Sequence, residues 1–210
     1  MCGLFAAFTL SLQAAPLTFG QAFTGAATGM TLGNGPLTLG WSFDVTAPIT
    51  VTDLAVFHDN GVGLLENHDV GIWNAAGALV VSGVVLPADP CLPDQGGFQE
   101  WCVVAVRPVT LAPGTYTIGA TWNNLLDPMI FPGTLAGQGI ANFNDPAVVL
   151  IQNEFVFGSG LNEPINTTGD TMSYFGPNFT TSSVPEPGSL VLLGSGLLGA
   201  VGVMRRKFNL

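Results

Sequence analysis

The polar side chains best suited to chemistry are concentrated in one short stretch, residues 58–69. They are His58, Asp59, Asn60, Glu66, Asn67, His68 and Asp69. Carboxylate and amide oxygens are the hard ligands that Ca²⁺ takes in proteins, although the spacing here does not follow the EF-hand pattern. One hypothesis is therefore a Ca²⁺ site, with the ligands Asp59, Asn60, Glu66 and Asp69. The alternative is a solvated loop in which Asp and Asn only serve turns.

His58 and His68, the two histidines of the chain, bracket this stretch, and a further hypothesis is that they form a metal-binding or acid–base pair. A catalytic metal ion usually takes three protein ligands, and the acids of the same stretch are the only candidates for a third. A serine hydrolase is not indicated, because the chain contains no G-x-S-x-G sequence. The paired carboxylates of a glycosidase cannot be nominated either, because the glutamates are too scattered along the chain: Glu66, Glu100, Glu154 and Glu163. We therefore predict no catalytic residue and no enzymatic activity.

Cys91 and Cys102 remain as a pair once Cys2 is assigned to a removed leader. An even number of cysteines in an exported domain favours a disulfide, which in the chain-entropy picture is worth roughly 2 to 3 kcal/mol for so short a loop. Two unrelated thiols are the alternative. A zinc site is not indicated, since there is no C-x-x-C spacing and no histidine nearby in the sequence.

The N-terminal residues 1–15 have the character of a signal peptide. Leu4 to Leu12 form an apolar run too short to span a membrane, and the small residues Ala14 and Ala15 follow it, as a signal peptidase requires. No basic residue precedes the run, so we expect this leader to be incomplete. An ordinary buried strand is the alternative.

The C-terminal residues 181–210 contain four elements in a fixed order. The linker 181–188 contains the first two, a polar spacer and the motif Val184, Pro185, Glu186 and Pro187; an apolar segment follows over 189–204, and the tip 205–210 carries Arg205, Arg206 and Lys207. The prolines break any preceding strand. As a helix the apolar segment is about 24 Å long, short for a hydrocarbon core of about 30 Å. The positive-inside rule predicts that the basic tip is cytoplasmic and the body is outside.

This order of residues resembles the PEP-CTERM sorting domain, in which a Val-Pro-Glu-Pro motif, a hydrophobic helix and an arginine-rich tip follow one another. The resemblance implies export by a Gram-negative bacterium that makes extracellular polysaccharide. It also implies that an exosortase recognises Pro185, Glu186 and Pro187 at the inner membrane, so that the tail is a substrate. A G-x-G-x-x-G match at Gly194 to Gly199 is not a dinucleotide site, because it lies inside the predicted membrane helix rather than after a strand.

Charge is distributed very unevenly along the chain. The body up to residue 183 contains 13 acidic residues and a single basic one, Arg107. A surface this acidic repels phosphate groups and has almost no cations to neutralise them, so nucleic-acid binding is disfavoured. We therefore expect small cations, rather than anions, as ligands of the body.

Between residues 17 and 180 the chain reads as short strands separated by Gly, Pro, Asn and Asp. The predicted strands are Leu37 to Val45, Ile49 to Phe57, Asp69 to Trp73, Ala78 to Val85, Glu100 to Arg107, Thr115 to Trp122, Val148 to Phe157 and Met172 to Phe179. Asn74 to Gly77 is typical of a hairpin turn. We predict an all-β fold, an antiparallel β-sandwich or jelly-roll-like single domain, followed by a C-terminal transmembrane sorting helix.

Residues 35–180 also resemble, more loosely, the uncharacterised β-sandwich domains that accompany PEP-CTERM tails. The resemblance rests on the segment 41–43, the strand from Ile49, the turn 59–61 and the segment 70–73, and it implies no known activity. The tryptophans Trp41, Trp73, Trp101 and Trp122 either stack on sugars or form the core. The sequence thus predicts a noncatalytic protein of the cell surface or extracellular matrix, associated with exopolysaccharide. A calcium-dependent carbohydrate-binding module is the alternative, and an extracellular hydrolase comes third.

Overall fold

The computed structural model describes residues 18–19, 29–30, 35–58, 63–93, 100–130, 145–167 and 176–182, and these residues form strands and turns without a helix. The strands are β1 (Thr18–Phe19), β2 (Gly29–Met30), β3 (Leu37–Val45), β4 (Ile49–His58), β5 (His68–Asn74), β6 (Leu79–Val85), β7 (Cys91–Pro93), β8 (Glu100–Leu111), β9 (Gly114–Trp122), β10 (Met129–Ile130), β11 (Val148–Phe157) and β12 (Pro177–Ser182). The predicted signal peptide 1–15, sorting motif 184–187, membrane helix 189–204 and basic tip 205–210 lie outside the described residues.

The strands form two five-stranded sheets and one small pair. Sheet I has the order β1-β12-β4-β8-β7, sheet II has the order β11-β3-β9-β5-β6, and β10 pairs with β2. Every pairing is antiparallel. For the residues that the structure describes, the prediction of an all-β antiparallel fold is therefore confirmed.

The strand bounds follow the alternation of apolar and polar residues closely. β3 and β11 have the predicted bounds, while β8 runs four residues further than predicted, to Leu111. β12 ends at Ser182, so residues 181 and 182, which the sequence assigned to the linker, belong to sheet I. The strands β1, β2, β7 and β10 were not predicted, because two or three residues are too few to show a period.

A single cluster of buried apolar side chains takes its members from both sheets. Trp41 and Phe43 of sheet II contact Phe179 of sheet I, with ring centroids 5.7 and 5.2 Å apart respectively. The indole N–H of Trp41 donates to the carbonyl of Pro177 at 2.9 Å, so its polar atom is also satisfied in the interior. The inner faces of the two sheets therefore share one core.

The predicted hairpin at Asn74 to Gly77 is confirmed and joins β5 to β6. Gly77 has a φ of 74°, a left-handed conformation that glycine adopts at little cost, and its N–H donates to the Asn74 carbonyl at 2.9 Å. The Asn74 side-chain oxygen accepts from the N–H groups of Ala76 and Ala78. This turn fixes the far end of β5, and the opposite end of the strand, at His68, belongs to the site described next.

Candidate functional site

Two loops meet at the end of sheet II where β5 begins and β9 ends. Because β5 and β9 are antiparallel, with Val70 opposite Ala120, the loop 63–67 before β5 and the loop 123–128 after β9 emerge side by side. Glu66 lies in the first loop and Asp127 in the second. His68 is the first residue of β5. All three side chains are buried, with exposed fractions of 6%, 1% and 0%.

Glu66 holds the backbone of the other loop. One carboxylate oxygen accepts from the backbone and side-chain N–H groups of Asn124 at 2.8 and 3.1 Å, and the other accepts from the backbone N–H of Leu126 at 3.0 Å. Between these two residues, Leu125 has a φ of 56°. A left-handed conformation of this kind costs a residue with a side chain on the order of 1 kcal/mol or more and persists only where its surroundings enforce it. The hydrogen bonds of the Glu66 carboxylate to the residues on either side of Leu125 are surroundings of this kind.

Asp127 makes the reciprocal contact. Its carboxylate accepts from the backbone N–H of Leu65 at 2.7 and 2.9 Å and from that of Glu66 at 2.9 Å. Each loop therefore supplies a buried carboxylate to the N–H groups of the other. Hydrogen bonds to charged groups are worth about 1.5 to 3 kcal/mol each, so this clasp is a substantial source of order at this end of the molecule.

His68 joins the same cluster through both of its ring nitrogens. Nδ1 lies 2.5 Å from the carbonyl oxygen of Thr121, and Nε2 lies 3.0 Å from Oδ2 of Asp127. The ring of Trp122 packs edge-on against the imidazole at 4.9 Å between centroids. A carbonyl only accepts hydrogen bonds, so Nδ1 carries a hydrogen, and the remaining nitrogen faces a carboxylate.

The pKa of the Asp127 carboxyl is lowered by this environment. Burial acts in the opposite direction and by itself raises the pKa, but it is outweighed by the hydrogen bond with His68, by the N–H groups of Glu66 and Leu65, and by the charge of His68. Asp127 is therefore a carboxylate at neutral pH. In the absence of another cation, a hydrogen lies between Nε2 of His68 and Oδ2 of Asp127, because two lone pairs at this distance repel each other.

His58 has a different environment, at the end of β4. Its Nε2 accepts from the backbone N–H of Gly63 at 2.6 Å, and its Nδ1 lies 3.3 Å from a Glu100 carboxylate oxygen. A ring nitrogen of His58 also lies within 4.8 Å of the sulfurs of Cys91 and Cys102. These sulfurs are bonded to each other, so they are not available as thiolate ligands.

The predicted disulfide between Cys91 and Cys102 is confirmed. The two residues lie opposite each other on β7 and β8, with their Cα atoms 3.8 Å apart. The proximity of His58 was not predicted, because it depends on the pairing of β4 with β8, in which His58 lies opposite Glu100. The two histidines do not form the pair that the sequence suggested, since each belongs to a separate cluster.

The structure divides the residues of the Ca²⁺ hypothesis. Glu66 lies with His68 and Asp127, whereas Asp69 is not a member of that cluster. Asp59 and Asn60 lie outside the described residues, so calcium binding by this set stays a prediction. Asp127 was missed because it lies 59 residues from His68 in the chain, in a loop whose sequence has no ligand spacing of its own.

The tail places the chain among exported proteins that carry a C-terminal sorting signal. Residues 183–207 match the PEP-CTERM protein-sorting motif, which confirms the resemblance found in the sequence. The motif implies a secreted protein with a membrane-anchored precursor, and an exosortase as the processing partner. Comparisons with curated proteins and with solved structures give no match for the chain. Within the ranges that the structure describes, no helix has the length and apolar character needed to cross a membrane.

Proposed function

We propose that the body of this protein is a noncatalytic β-sandwich domain of the cell surface or extracellular matrix of a Gram-negative bacterium. In this proposal the apolar segment 189–204 anchors the precursor in the inner membrane, with the tip Arg205, Arg206 and Lys207 in the cytoplasm. An exosortase recognises Pro185, Glu186 and Pro187 and removes the tail. The mature domain then associates with exopolysaccharide, as the PEP-CTERM resemblance implies.

The noncatalytic assignment rests mainly on one observation: the polar atoms of the buried cluster Glu66, His68 and Asp127 are hydrogen-bonded to the protein backbone. Both carboxylates accept hydrogen bonds from backbone N–H groups, and the imidazole Nδ1 donates to a backbone carbonyl. All three side chains are less than a tenth exposed. A general acid or base must reach within hydrogen-bond distance of a substrate, and a group enclosed in this way has no such access. These contacts support a structural role.

The tryptophans support the same assignment over a carbohydrate-binding module. Trp41, Trp101 and Trp122 are completely buried, and Trp73 is 6% exposed. A module that stacks sugars on indole rings needs those rings at the surface. The buried positions favour the interpretation in which all four tryptophans are core, and no observation in the described residues favours the hydrolase that the sequence ranked third.

Mass spectrometry of the protein isolated from its host tests the proposal. We expect a mature chain that has lost the C-terminal residues of the motif, and an uncleaved precursor when Pro185, Glu186 and Pro187 are all replaced by alanine. Replacing Thr180, which lies in β12, by serine is the control and leaves processing unchanged. An intact C-terminus at Leu210 in the wild-type protein defeats the sorting part. Hydrolysis of a glycan by the purified protein defeats the noncatalytic part.

A further inference from the structure

We propose that Glu66, His68 and Asp127 form a binding site for one divalent transition-metal ion, of the Zn²⁺ or Mn²⁺ class, which locks together the loops 63–67 and 123–128. One ligand atom from each of the three residues lies within 4.8 Å of the other two. The site differs from the oxygen-only Ca²⁺ set predicted from the sequence, because it includes an imidazole nitrogen and a carboxylate from a distant loop. It does not depend on the sorting of the protein.

The orientation of His68 is the first reason for this proposal. Its Nδ1–H points at the Thr121 carbonyl at 2.5 Å, which turns Nε2 towards Asp127. Histidines that bind metals nearly always donate their other N–H to a carbonyl or carboxylate, because this contact fixes the tautomer and makes the free nitrogen a better ligand. The backbone of β9 thus holds the imidazole in the state that coordination requires.

The contact between His68 and Asp127 is the second reason. With the hydrogen on Nδ1, a neutral ring presents a lone pair at Nε2 to the Asp127 carboxylate oxygen only 3.0 Å away. Two acceptors at this distance need a cation between or beside them, which is either a proton or a metal ion. Two ligand atoms that are each about 2.1 Å from one ion are about 3.0 Å apart at the right angle of an octahedral site, and about 3.4 Å apart at the tetrahedral angle that Zn²⁺ prefers. The observed separation therefore fits shared coordination as well as a hydrogen bond.

Charge is the third reason, because a metal ion balances the cluster and a proton does not. Two carboxylates, Glu66 and Asp127, are enclosed with one imidazole, and Arg107, the sole Lys or Arg in the described residues, is exposed on β8. A proton on His68 neutralises one of the two negative charges. A divalent ion with a neutral imidazole neutralises both, and buried charges are stable when they are paired or coordinate a metal.

The chemistry of the donors indicates which ions fit. An imidazole suits Zn²⁺ and related transition metals, and carboxylates suit Mn²⁺ and harder ions, whereas Ca²⁺ takes six to eight oxygen ligands. The carboxylates are already oriented by the N–H groups of Leu65 and Leu126, which act as the outer shell of hydrogen bonds that metal sites require.

The test is metal binding by the full chain, which is purified in detergent, stripped with EDTA and then reloaded with one metal at a time. After reloading with Zn²⁺, we expect one equivalent of the ion by elemental analysis and a higher unfolding temperature. After reloading with Co²⁺, we expect an absorption spectrum typical of nitrogen and oxygen ligands. At a free Zn²⁺ concentration 100 times Kd, the folded-to-unfolded ratio rises about 100-fold. Ca²⁺ at the same concentration leaves the unfolding temperature unchanged.

Matched variants separate this site from adventitious binding. Asp127→Asn and Glu66→Gln abolish the stoichiometric ion, while Asp69→Asn, next to the ligand His68 but outside the cluster, retains it. If the cluster variants fail to fold, the wild-type Co²⁺ spectrum and the His68 Nε2 resonance on Zn²⁺ titration still decide the question. A folded wild-type protein that binds no equivalent of Zn²⁺ or Mn²⁺ overturns the proposal, as does binding that survives Asp127→Asn or a thermal response to Ca²⁺ alone.

Discussion

Glu66 and Asp127 hold each other's loops by a reciprocal exchange of carboxylates and backbone N–H groups. Glu66 accepts from Leu126, the neighbour of Asp127, and Asp127 accepts from the N–H of Glu66 itself at 2.9 Å. Removing either carboxylate therefore takes away the hydrogen-bond partner of N–H donors in the opposite loop. This mutual dependence makes the pair a sensitive point for measuring stability.

Glu66→Gln is expected to destabilise the fold by about 1 to 3 kcal/mol. In the wild type both carboxylate oxygens accept from N–H groups, whereas in the variant one of them is replaced by an NH₂ group that faces another donor. Urea unfolding in EDTA measures the loss. Glu163→Gln, in a segment outside both loops, is the control and changes the free energy of unfolding by less than about 0.5 kcal/mol. Equal effects of the two substitutions would contradict the importance of the clasp.

The metal-free protein should lose stability in acid through Asp127. Its pKa in the folded state lies below the ordinary value of 3.8, so the unfolded chain binds the proton more tightly. The contribution of this carboxylate is complete above the unfolded-state pKa of about 3.9, and it is lost as pH falls from there through the lower, folded-state pKa. Unfolding measured in EDTA between neutral pH and pH 3 shows this loss, and Asp127→Asn removes that part of the pH dependence.

Reduction of the Cys91–Cys102 bond is expected to lower the free energy of unfolding. The expected loss is about 2 to 3 kcal/mol, the amount that the chain-entropy picture gives for a bond closing a short loop in the unfolded chain. Urea unfolding with and without a reducing agent measures this difference. The double variant Cys91→Ser with Cys102→Ser should show no response to the reductant. A wild-type protein insensitive to reduction would indicate that the bond contributes nothing to stability.

Trp41→Ala is expected to cost about 3 to 5 kcal/mol, because it empties a space between the two sheets and removes the donor to Pro177. Trp41→Phe keeps the aromatic contact with Phe179 and loses less. Chemical unfolding gives both values, and a glycan array run in parallel tests the role of the ring. Loss of sugar binding without loss of stability would show that the indole is a binding surface.

The alternation of residues was enough to predict most of the sheet strands and the hairpin at Asn74, because both are local features. The disulfide followed from an even count of cysteines. The contact of Asp127 with His68 could not be predicted, since it depends on which strands pair and in what register. The left-handed Leu125 was equally hidden, because leucine has no preference for that conformation, and the hydrogen bonds from its two neighbours to Glu66 depend on a contact between distant loops.

β12, the last strand along the chain, limits how far the described domain can lie from the proposed membrane helix. β12 lies between β1, which pairs with Thr180 and Thr181, and β4, which pairs with it up to Ser182, and the sorting motif begins at residue 183. In a folded precursor the residues from 183 to the predicted helix at 189 span at most roughly 20 Å when extended. Under the proposal that the membrane helix begins at residue 189, the domain of the precursor lies within about one strand length of the bilayer, and the exosortase reaches its peptide in that gap.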